Sequence, residues 1–84
     1  MDETIRFDVN EINDAYVLIT LKEIRDILKE RGYNPINQIV GYLISGDPGY
    51  ITSYKDARKK IMKLDRSNAL EVLIKKALKW DIWV

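Results

Sequence analysis

Between Gly32 and Pro48 the chain carries its own punctuation. Asn34-Pro35 and Asp47-Pro48 are each a capping side chain followed by proline, a pair suited to a helix start because the first-turn N–H that proline lacks has no partner there anyway. Gly32 and Gly46 stand just before them, where a helix ends most easily in a left-handed residue. The pattern predicts a helix over Pro35–Ser45, an earlier helix ending at Gly32, and a single turn from Asp47 through Tyr50.

Apolar periodicity fills in the rest. Val17, Leu21, Ile24 and Leu28 fall on one stripe of a helix over about Asp14 to Arg31, and Tyr16, Leu18, Ile19 and Ile27 widen its apolar surface beyond one covered side. Ile36, Ile39, Val40, Leu43 and Ile44 give the Pro35–Ser45 helix a full apolar face, opposite small polar positions at Asn34, Asn37, Gln38, Gly41 and Ser45. Gly41, unfavourable inside a helix by about 1 kcal/mol against Ala, predicts a close backbone or a partner needing room. Ser53, with Asp56 three residues on, resembles a capping box opening a third helix, about Tyr54 to Leu64, with Ala57, Ile61 and Leu64 inward. Asp65 or Ser67 caps a fourth, about Asn68 to Trp80, whose expected core face is Leu70, Leu73, Ile74, Ala77 and Leu78, with Val72 outside it. Residues 5 to 9 alternate apolar and polar, as a short strand or extended arm would. The expectation is one all-α domain over residues 1–84: a compact bundle of four to five short helices with an extended N-terminal arm over residues 1–13.

Composition narrows the function. A chain of 84 residues hides a smaller fraction of its surface than a larger domain does, so its core needs a supplement. With no cysteine, that supplement is neither a disulfide nor a thiolate metal site, and self-association into a homodimer remains. Histidine is absent as well, which removes the commonest general base and metal ligand and argues against an enzyme. No cofactor is implied. No apolar run approaches the roughly 20 residues that span a bilayer, and the start Met-Asp-Glu-Thr-Ile-Arg is unlike a signal peptide, so a cytoplasmic location without membrane insertion is expected.

Charge is uneven beneath a net +1: Met1 to Arg31 holds five Lys/Arg against eight Asp/Glu, whereas Lys55 to Lys79 holds nine against three. Lys55, Arg58, Lys59, Lys63 and Arg66, with Lys60, form a basic patch on a helix that follows another across a short turn, the outline of a small dimeric helix-turn-helix regulator. That outline is the alternative reading. A near-neutral chain with no set of base-reading side chains argues against nucleic acid, and an acidic protein surface or a phosphate fits the same patch. Asp8, Glu11 and Asp14 recur every three residues without the turn glycine of a calcium loop; they suit a helix start rather than a metal. Tyr33, Tyr42, Tyr50 and Tyr54 surround the second helix as packing residues with wet hydroxyls, and Trp80, Ile82, Trp83 and Val84 end the chain in apolar bulk expected to dock on its own domain or a second subunit.

The run Gly32-Tyr33-Asn34-Pro35-Ile36-Asn37-Gln38-Ile39-Val40-Gly41-Tyr42-Leu43, continued by Ser45-Gly46-Asp47-Pro48, Tyr50, Ala57-Arg58 and Ile61, resembles the IreB family of regulatory phosphoproteins. Glu3-Thr4-Ile5-Arg6-Phe7 adds to it, so the resemblance covers about Glu3 to Leu78; Gly49 stands where the family usually has Ala. It implies a small, dimeric helical protein of Gram-positive-type bacteria, acting in the cytosol as substrate of a transmembrane Ser/Thr protein kinase that monitors the cell envelope, and then on an unknown downstream protein. Thr4 matches a threonine the family's kinase modifies. The surface expected to meet partners comprises Asn34, Asn37, Gln38, Tyr42, Asp47 and Tyr50.

Overall fold

The computed structural model describes residues 9–79, all of them in helices, turns and short connections without a strand. The first helix, α1, spans Val9–Glu30. At 1.5 Å per residue its 22 residues reach about 33 Å, and the other three helices pack against it. It begins before the expected Asp14, so residues 9–13 belong to the helix and not to an extended arm. The segment 1–8 lies outside the described residues. Arg31, Gly32 and Tyr33 close α1 as a Schellman turn: Gly32 is left-handed at φ 78°, its N–H donates to Lys29 O at 3.0 Å, and the Tyr33 N–H donates to Leu28 O at 3.0 Å.

Helix α2 spans Pro35–Ser45, as its punctuation predicts. Asn34 Oδ1 accepts from the Asn37 N–H at 3.1 Å, and Gly46 is left-handed with its N–H on Tyr42 O at 2.7 Å. Asp47 then caps the single turn Pro48–Tyr50, its Oδ1 accepting from the Gly49 N–H at 2.8 Å. The expected capping box at Ser53 is not made. A short 3-10 turn over Tyr54–Asp56 intervenes, Thr52 Oγ1 rather than Ser53 accepts from the Tyr54 N–H, and α3 runs only over Ala57–Met62. Helix α4 spans Arg66–Ala77, with Asp65 as the cap: its Oδ2 accepts from the Asn68 N–H at 2.8 Å.

The core forms where these helices meet. Val17, Leu21, Ile24 and Leu28 of α1 are buried against Leu43 of α2, Ile51, Ala57 and Ile61. From α4, however, the buried side chains are Ala69 and Val72, with Leu73 partly covered, while Leu70, Ile74 and Leu78 lie outside. The expected core face of that helix is therefore rolled outward. Polar contacts explain the roll: Asn13 and Asn68 exchange side-chain amide hydrogen bonds at 3.0 and 2.9 Å, and Lys75 pairs with Asp14 at 2.9 Å. Both tethers need Asn68 and Lys75 to face α1, and residue 72 shares that side of the helix.

Candidate interaction surfaces

The stretch from Asn34 to Tyr50 is built mostly for its own folding. Asn34 and Asp47 are caps, their side-chain oxygens committed to backbone N–H groups. Gly41 meets the neighbour its presence implied: the Tyr50 ring lies on it, and a Cβ added there would stand 2.7 Å from Tyr50 Cε1. Gly46 is covered by the Arg66 guanidinium, whose Nη1 donates to Leu43 O at 3.2 Å and so satisfies a last-turn carbonyl at the negative end of α2. Tyr42 is buried at 6% exposure and cannot belong to a contact surface, a correction to the expected set. It lies one residue before Leu43, on the side of α2 that turns into the core. Asn37 is exposed and Gln38 half-buried, with Gln38 Oε1 buried and lacking a hydrogen-bond partner; Tyr50 is half exposed over Gly41.

The basic patch divides in the same way. Lys55 donates to both oxygens of Glu30 at 2.9 and 3.0 Å. Arg58 turns inward and its Nε donates to Ile51 O at 2.8 Å, while Arg66 lies across the end of α2. Lys59 and Lys63 are exposed. Two of the five cations expected to face a partner are thus structural, because a guanidinium is the side chain best able to serve carbonyls left open by a turn or a helix end. That also weakens the DNA-reading alternative. Asp14, once weighed as a metal ligand, is held by Lys75, and Thr4 lies outside the described residues.

Glu30 anchors a polar cluster at the end of α1. Besides Lys55 it accepts from Tyr54 Oη at 2.7 Å, and the Arg31 guanidinium stands 4.5 Å from the Tyr54 ring centre. The Tyr54 hydrogen bond, then that of Lys55, holds the Glu30 carboxyl below the usual carboxylate range, and Glu30 in turn raises the Lys55 ammonium. An open cleft of about 350 Å³ runs alongside, lined by Glu23, Asp26, Ile27, Glu30, Lys55 and Lys60. Lys60 pairs with Glu23 at 3.5 Å, so three carboxylates and two ammonium groups face one another across it.

Three apolar stripes remain uncovered, and the sequence reading placed two of them inside. On α1 they are Val9, Ile12, Tyr16 and Ile19; on α2, Ile36, Val40 and Ile44; on α4, Leu70, Ile74 and Leu78. Ile44 is 78% and Ile19 65% exposed, values for whole side chains and not for edges. The excess width noted on α1 was the available signal. No helix among the described residues is long and apolar enough to cross a membrane.

Caps, turns and helix-end cations account for Asn34, Asp47, Arg58, Asp65 and Arg66, and what stays exposed includes the apolar helix stripes along with Lys59 and Lys63. The class so defined is a small all-α domain whose free surface suits contact with other macromolecules. A family model described as "IreB regulatory phosphoprotein" matches residues 2–79, and the chain belongs to that family.

Proposed function

We propose that this chain is a non-enzymatic, cytosolic regulatory phosphoprotein, a substrate of a bacterial transmembrane Ser/Thr kinase in cell-envelope stress signalling, acting as a homodimer through protein contacts. The observation that carries this reading is the family match over residues 2–79, which takes in Thr4. Phosphorylation there adds about −1.5 to −2 charge to the acidic start of the chain. Lys59 and Lys63, exposed on and just after α3, are the receivers with least to give up; Lys55 would first have to leave Glu30. Asn37, Gln38 and Tyr50 are the proposed contacts on α2 and the turn behind it.

The homodimer is supported by the exposed apolar stripes on α1, α2 and α4, since a stripe of large apolar side chains left in water is the kind of surface that self-association covers. To test the phosphoprotein reading, the purified chain is incubated with the cytosolic domain of such a kinase and ATP, then mapped by mass spectrometry. Phosphate on Thr4, absent from a Thr4→Ala variant, is the expected result. Undiminished incorporation in Thr4→Ala would overturn the assignment of the site.

A further inference from the structure

Lys55 has φ 49°, ψ 34° and Asp56 has φ 62°, ψ 21°, two successive left-handed residues with no glycine between them. For an L-residue with a Cβ that conformation is unfavourable, and held strain of this kind is where switching segments are found. The same residues have a second way to fold. Ser53 and Asp56 carry the spacing of a capping box, which would start a helix at Tyr54 and run it unbroken into α3, yet Ser53 makes no cap bond here.

The contacts that accompany the strained form are visible. Glu30 grips Tyr54 and Lys55 from the end of α1. Behind that grip the Arg58 N–H donates to Thr52 O at 3.0 Å instead of to Tyr54 O, the helical choice. We infer that residues 53–56 are a two-state latch, strained while Glu30 holds Lys55 and Tyr54, and joined to α3 as one continuous, Ser53-capped helix once that hold is lost. On release the Arg58 N–H exchanges Thr52 O for Tyr54 O, and the Asp56 N–H takes the Ser53 hydroxyl. Both charged grips stand half exposed, the Lys55 side chain at 53% and that of Glu30 at 48%, so an anionic group on a partner can draw Lys55 away. The latch rests on the backbone of residues 53–56 and on the contacts of Glu30, and holds or fails independently of Thr4.

NMR of the full chain tests it, because a left-handed residue places its own amide and α protons closer together than a right-handed one does. Wild-type protein should give strong intraresidue amide-to-α contacts at Lys55 and Asp56. In Glu30→Ala these should weaken together, and a contact from the Lys55 α proton to the Arg58 amide should appear. Asp56→Gly, which relieves strain and deletes the box, should raise the melting temperature and restore the strong Lys55 contact in the Glu30→Ala background. Strong contacts persisting at both residues in Glu30→Ala would overturn the latch, as would their absence from the wild type or a lower melting temperature in Asp56→Gly. Should Glu30→Ala fail to fold, Lys55→Gln read at Asp56 serves the same comparison.

Discussion

Gly41 shows how one absent methyl group can organise a neighbourhood. Alanine is the better helix former by about 1 kcal/mol, so on propensity alone Gly41→Ala should stabilise α2. The Tyr50 ring occupies the space that methyl needs, and we expect Gly41→Ala to lower stability by about 1–2 kcal/mol in urea unfolding. Adding Tyr50→Ala should recover most of that loss, since the two residues are in contact and their effects should not add. Glu30 gives a prediction in pH. Its folded pKa lies below the ordinary 4.5, so its contribution is fully present above that value and is lost as pH falls through the folded pKa. Thermal melts through the acid range should therefore decline more steeply for the wild type than for Glu30→Gln. The sequence disclosed the need for room at Gly41 but not the ring that takes it, because Tyr50 arrives through a turn whose path no periodicity encodes.

At the scale of the helix, legibility followed local chemistry. The bounds of α2 could be read because Asn34, Pro35 and Gly46 act within a few residues of themselves. The orientation of α4 could not, since it depends on Asn68 finding Asn13, 55 positions away. Apolar pattern counts Leu70 and Ile74 as core and has no way to weigh a pair of amides against them. The start of α3 was misplaced for a related reason: Glu30 holds residues that the Ser53 box would otherwise recruit. Asn13→Ala should cost about 1–2 kcal/mol by leaving the Asn68 amide half-buried and unpaired, whereas replacing both by Ala should cost less than the sum. Asp65→Ala should cost about 1 kcal/mol through loss of the α4 cap. Chemical denaturation of the four variants checks both.

For the whole molecule the outward apolar stripes are where the proposed homodimer is put to the test. Ile74→Glu and Ile19→Glu remove little buried contact, as both residues are more than half exposed, so helicity by circular dichroism should stay unchanged. Sedimentation should show weaker self-association in the variant whose helix carries the interface. Thr4 and the Trp80 to Val84 tail lie outside the described residues, and what is proposed for Thr4 rests on kinship.

The Asn13–Asn68 exchange has a consequence for how the domain tolerates its surroundings. Each amide both gives and receives, and neither carries charge, so dissolved ions and protons have little purchase on the bond. At the far end of α1, Glu30 and Lys55 hold each other by charge in open water. The Lys75–Asp14 pair that also holds α4 is less exposed than Glu30–Lys55, so rising ionic strength should loosen the Tyr54–Asp56 end first and α4 later, a graded response that hydrogen exchange could follow amide by amide.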